Sequence, residues 1–65
     1  MDFVTLLRNF VGRTVEAVVP SSLFEGILTQ VQATSIQIQE PGSIYGSGQL
    51  VTIPTSSLDY VRILV

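Results

Sequence analysis

The side chains with reactive potential in this chain are hydroxyls and carboxylates. Ser21, Ser22, Ser35, Ser43, Ser47, Ser56 and Ser57 are the candidate nucleophiles. A serine attacks a carbonyl or phosphoryl centre only with a base beside it, and the sequence contains neither histidine nor lysine. Several of these serines stand next to proline or glycine, where a short hydroxyl side chain suits a turn. Asp2, Glu16, Glu25, Glu40 and Asp59 are the whole supply of carboxylates for acid–base work. Glu16 and Glu25 are spaced to face each other across a hairpin, an ordinary arrangement on an exposed sheet face. No run clusters the oxygens that calcium or magnesium requires, and the absence of cysteine and histidine removes the usual zinc ligands. The stretch Gly42-Ser43-Ile44-Tyr45-Gly46-Ser47-Gly48 invites comparison with a phosphate-binding loop. It lacks the Gly-Lys-Ser/Thr ending, and the residues that follow, from Gln49, read as a strand where such a loop opens a helix. The expectation is a non-enzymatic protein with no catalytic residue, no cofactor and no metal.

Composition points instead to assembly. A chain of 65 residues forms one small domain, residues 1–65, which buries only about 60% of the surface exposed by its unfolded chain. Without cysteine or histidine it has no disulfide or metal to support it. Yet 46% of its residues are hydrophobic and only 12% are charged, with a mean hydropathy of +0.52. That is half the charge of an ordinary soluble domain, about 25%, and oligomerisation is the remaining way to bury so much apolar surface. The cations are Arg8, Arg13 and Arg62, and the net charge is −2. Nucleic acid is therefore disfavoured as a partner, because phosphate neutralisation supplies much of its binding energy. The apolar runs fall well short of the ~20 residues of a membrane span. No basic leader with a cleavable apolar core is evident, so a cytoplasmic origin is expected, with no membrane partner.

The elements follow from periodicity. Phe3, Leu6, Leu7 and Phe10 fall on one stripe of a helix over about 2–11, with Asp2 as its cap and Gly12 as its left-handed stop. A helix this short needs a bed, expected at the open end of a barrel. Strands are expected at 13–19, 23–32, 35–40, 49–53 and 58–65. The first alternates Val15, Ala17 and Val19 against Thr14, Glu16 and Val18; the third alternates Ile36 and Ile38 against Ser35, Gln37 and Gln39. Gly26, inside the second strand, lacks the Cβ that would clash where a strand folds over itself, and so marks a bend. Pro54 to Ser57 make a tight corner before the last strand, which sets Val61, Ile63 and Val65 against Tyr60, Arg62 and Leu64. The fold class is mainly β: an N-terminal α-helix followed by a five-stranded antiparallel barrel.

This order, with Gly26-Ile27-Leu28-Thr29 in the second strand and Leu58 to Leu64 at the close, resembles the Sm-like fold of the LSm and Hfq type, a strongly bent SH3-like barrel. The segments LRNFVGRTVEAVV and VTIPTSSLDYVRIL resemble small Sm-like proteins of spore-forming bacteria, some of them associated with the spore coat. The resemblance implies a homo-oligomeric ring, or stacked rings, in which the fourth strand of one copy pairs with the fifth of the next and closes both sheet edges. The implied interface is Leu50, Val51, Thr52 and Ile53 of one copy against Tyr60, Val61, Arg62 and Ile63 of the next. Ile44 and Tyr45 are candidate loop contacts with a neighbouring ring or another coat protein. The implied location is the cytoplasm, with deposition on the spore surface. RNA-binding members carry an acidic residue followed by an asparagine or aromatic after the second strand, and a basic residue before the last. Here those places hold Gln32-Ala33-Thr34-Ser35 and Pro54-Thr55-Ser56-Ser57. With no cation for the phosphate and no ring to stack a base, the usual pocket is missing. An RNA-binding ring with an atypical site, using Arg8 and Arg13 as a basic rim, is the alternative. Arg62 is expected to pair with Glu16, Glu25 or Asp59.

Overall fold

Asp2 starts the helix as its position implies: a side-chain oxygen accepts the backbone N–H of Thr5 at 2.7 Å. In the computed structural model, which describes residues 2–42 and 48–64, α1 spans Phe3–Arg8 and stops short of the expected 2–11. Asn9, Phe10, Val11 and Arg13 all donate to the carbonyl three residues earlier, at 3.2, 2.9, 3.4 and 2.9 Å. The α-helix thus tightens into a run of turns. Gly12 ends that run at φ +95, a conformation costly for any residue with a Cβ.

The strands are β1 (Thr14–Val19), β2 (Ser22–Val31), β3 (Ser35–Gln39), β4 (Leu50–Pro54) and β5 (Tyr60–Ile63), with a 3₁₀ turn over Thr55–Ser57. All ladders are antiparallel, and they join into one sheet in the order β4-β3-β2-β1-β5. The sheet is open, with β4 and β5 at its two edges. The described residues are mainly β, with one short α-helix at their N-terminal end. Alternation in β1 and β3 puts the expected residues inward: Val15, Ala17, Ile36 and Ile38 are buried.

These side chains join Leu7, Leu28, Val31 and Ile53 in the core on the inner face. Fully burying a large aliphatic side chain is worth about 1.5–3 kcal/mol, so this cluster is the main stabilising term. Of the expected helical stripe only Leu7 is buried, and Phe10 packs half-buried beside it. Val4, which lies off that stripe, takes the third place against the core, while Phe3 and Leu6 remain 45% and 50% exposed. Arg8 anchors the helix end across to β2, its Nε donating to the Val31 carbonyl at 3.3 Å.

Two irregularities shape β2. Between Leu28 and Gln30 the register with β3 shifts, leaving Thr29 out of the pairing, and its hydroxyl donates to the Gln37 carbonyl at 3.2 Å. At Gly26 the backbone of β3 passes close by. A Cβ placed there would run into the Gln39 carbonyl oxygen, and would sit 2.8 Å from the Gln39 carbonyl carbon and 2.9 Å from Cγ2 of Ile38.

Candidate functional site

Ser43 and Ser47, with the centre of the glycine-rich stretch, lie outside the described residues; several of the other serines and carboxylates have structural partners. Ser35 donates to the side-chain oxygen of Gln32 at 3.2 Å within the β2–β3 turn, and Ser56 and Ser57 lie in the 3₁₀ corner. Glu16 and Glu25 are directly opposite each other in the β1–β2 ladder. Arg62 reaches Glu16 at 3.4 Å from the other side, choosing it among the three expected partners. The row Arg62–Glu16–Glu25 therefore runs across β5, β1 and β2 on the outer face. Among the described residues no three metal-ligating side chains gather together. A depression of about 390 Å³ beside Glu25, Ile27, Gln39 and Glu40 has carboxylates in its lining and no cation. Among the described residues Asp2 has its titration displaced: the Thr5 backbone N–H and then its hydroxyl lower it from 3.8, burial opposes them, and Arg8 adds a smaller lowering.

Among the described residues the two sheet edges, β4 and β5, each have a strand partner on one side only. An antiparallel strand turns the backbone groups of alternate residues to alternate sides. Gln49 accepts from Glu40 at 2.8 Å and Thr55 donates to Thr34 at 2.9 Å, so the odd-numbered residues of β4 face β3. Leu50 and Thr52 thus turn their N–H and C=O groups outward. On the other edge Leu64 donates to Thr14 at 2.9 Å, so Arg62 and Leu64 face β1, and Val61 and Ile63 turn theirs outward. Each edge presents two residues ready to pair, and an unpaired edge is a template for another strand.

The interface residues named from the sequence divide between these edges, at opposite ends of the strand order. On β4, Leu50 is 52% exposed, Thr52 is exposed, Val51 is half-buried and Ile53 is buried. On β5, Tyr60 is 48% exposed, Arg62 is exposed, and Val61 and Ile63 are half-buried. Ile44 and Tyr45 lie outside the described residues. Register fixes the faces: Val51 and Ile53 pair with Ile38 and Ile36, and Val61 and Ile63 pair with Ala17 and Val15, so these four point inward. Leu50, Thr52, Tyr60 and Arg62 point outward.

Two apolar depressions adjoin these edges. Phe3, Leu6, Leu7 and Phe10 of the helical segment form a pocket of about 100 Å³ with Val61 and Ile63. A groove of about 380 Å³ runs between the β1–β2 turn and β4, with Val19, Phe24, Val51 and Ile53 in its walls. Sequence reading missed both, because each brings together residues from different elements. It also missed the outer apolar row Tyr60–Val18–Leu23, which follows from register; the available signal was Val18, a β-branched residue among Thr14 and Glu16. No helix among the described residues is long and apolar enough to cross a membrane. No family model, curated protein or solved structure was found to match the chain.

Proposed function

We propose that this protein is a non-enzymatic scaffold that assembles with copies of itself, the β4 edge of one copy adding to the β5 edge of the next until a ring closes. The observation that carries the reading is the pair of open edges on a single antiparallel sheet, each with two outward-facing backbone residues. Pairing them satisfies those groups and covers apolar residues that a 65-residue chain cannot cover by itself. The close passage of β3 over Gly26 and the bulge at Thr29 support a strongly bent, barrel-like sheet of the Sm-like kind. Low charge suits a protein packed into a dense layer, and the resemblance to small Sm-like proteins of spore formers makes the spore coat, with other coat proteins as partners, the proposed destination.

Light scattering on the purified native particle at low and high salt tests this. A discrete multiple of 7.1 kDa that withstands salt is expected, and a monomer at all concentrations refutes it. RNA carried in the particle and released by salt would favour the RNA-binding ring instead. Val61→Pro is a sharp variant, since it deletes a backbone donor on the open side of β5 while the ladder to β1 keeps its own donors. A folded monomer is expected from it.

A further inference from the structure

The phase of the backbone hydrogen bonds decides more than which strands meet. The outward-turned residues of β4, Leu50 and Thr52, carry their side chains on the outer face. Those of β5, Val61 and Ile63, carry theirs on the inner face. Two residues that exchange both hydrogen bonds in an antiparallel ladder always have their side chains on the same side. An antiparallel junction between β4 and β5 therefore flips the sheet: the outer face of one copy continues the inner face of the next.

Resting on the assembly reading above, we propose that copies join antiparallel in the register Leu50 opposite Ile63 and Thr52 opposite Val61, with Leu50 seated in the α1 pocket of the neighbouring copy. This register allows both backbone groups of all four residues to bond. Shifting it by two residues one way brings Pro54 opposite Val61, and proline has no N–H to give; shifting it the other way brings Thr52 opposite Asp59, whose N–H is already donated to Val18 at 2.7 Å. The side chains then fall into place on both sides of the junction. Leu50, more than half exposed in the single chain, lies beside Ile63, which lines the pocket with Phe3 and Leu6. On the opposite side Tyr60 comes opposite Ile53, whose groove with Val51 and Phe24 is apolar and open. Two exposed apolar side chains meet two apolar depressions through one junction.

A parallel junction has the contrary consequence. It keeps inner face with inner face, holds Leu50 and Tyr60 on the outer face away from both depressions, and sends Val51 toward the helix. Burial of apolar surface therefore selects the antiparallel form.

Because the chain has no cysteine, single thiols report the junction cleanly. Copies carrying Leu50→Cys are mixed with copies carrying Leu6→Cys, or Phe3→Cys as a second position, under mild oxidation; all three sites are exposed enough to leave the fold intact. Cross-linked dimers are expected from these mixtures and are lost when Val51→Cys replaces Leu50→Cys. Cross-linking through Val51→Cys alone overturns the flipped junction while the edge-to-edge assembly stands. An oligomer in which neither thiol couples to the helix overturns the pocket contact. A monomer by light scattering removes the assembly reading and this inference with it.

Discussion

Replacing Gly26 with alanine adds one methyl group at the point where β3 lies against β2. The new Cβ would meet the Gln39 carbonyl group, with its carbon at 2.8 Å, and Cγ2 of Ile38 at 2.9 Å, against the roughly 3.5–4.0 Å of a relaxed carbon contact. Neither neighbour can step aside cheaply. Gln39 is a backbone contact held in the ladder opposite Ile27, and Ile38 is fully buried. Overpacking of this kind costs about 1–3 kcal/mol, and the stiffer unfolded chain of alanine returns only about 0.4–1 kcal/mol of stability by raising the free energy of the unfolded state. A backbone contact belongs at the upper end, so a net loss of about 2 kcal/mol is expected. A chain of 65 residues holds about 3–10 kcal/mol in total. At about 4–8 °C per kcal/mol, Tm should fall by about 8–16 °C. Thermal unfolding followed by circular dichroism at fixed protein concentration measures this, with urea titration to check that the slope is unchanged. Gly12→Ala is the control: no atom lies within 4 Å of its added Cβ, so it bears only a backbone cost of about 1–2 kcal/mol. A Gly26→Ala protein as stable as the parent would refute the close passage of β3 over β2, and with it the support for a bent sheet.

Three further outcomes follow from the same structure. Leu28→Ala removes a side chain with no exposed surface from the centre of the sheet and should cost about 2–5 kcal/mol in urea unfolding; a loss near zero would displace Leu28 from the core. The Arg62–Glu16 pair spans 3.4 Å with side chains 59% and 17% exposed, so a double-mutant cycle with Arg62→Met and Glu16→Gln should find at most about 1 kcal/mol of coupling, declining as salt is added. Asp2 titrates below 3.8 in the folded state because Thr5 donates to its charged form. A lowered carboxylate contributes stability that is fully present above that ordinary value and disappears as pH falls through the folded one. Asp2→Ala should therefore flatten the most acidic part of the stability–pH curve and leave its shape at neutral pH unchanged.

Local chemistry was readable where one element decides the outcome. The alternation in β1 and β3 named Val15, Ala17, Ile36 and Ile38 as inward, and Asp2 was readable as a cap. Gly26 was expected as a bend where β2 folds over itself; what stands against it is the neighbouring strand, through Gln39 and Ile38 of β3. The 3.6 period correctly marked Leu7, but it could not tell that the short helix would lie on Val4 and leave Phe3 and Leu6 half exposed, since that depends on the angle at which the helix meets the sheet. The tail of the expected helix became turns because the chain had to reach Gly12, whose N–H donates to Leu28 at 2.7 Å. Register was the larger gap. The bulge at Thr29 shifts β3 relative to β2, and the direction of every backbone group beyond it depends on that shift. Which residues of β4 face outward is consequently a property of the assembled sheet, not of the β4 sequence. The same holds for the pocket beneath α1, whose walls come from opposite ends of the chain.

The neighbour of β1 on the side away from β2 is β5, so Val15 pairs with Ile63, far along the chain. The strands β1 to β4, by contrast, follow one another as a meander in which each pairs with the next. Local pairing is fast and long-range closure is slow, so a growing or refolding chain is expected to complete the meander first and dock β5 last. During that interval β1 is itself an edge, facing solvent through the same groups that later receive β5. A last strand from another molecule fits it equally well. Folding and strand exchange are therefore expected to compete, with the share of copies that take a neighbour's β5 rising with protein concentration during refolding, which size exclusion of protein refolded at several concentrations would show.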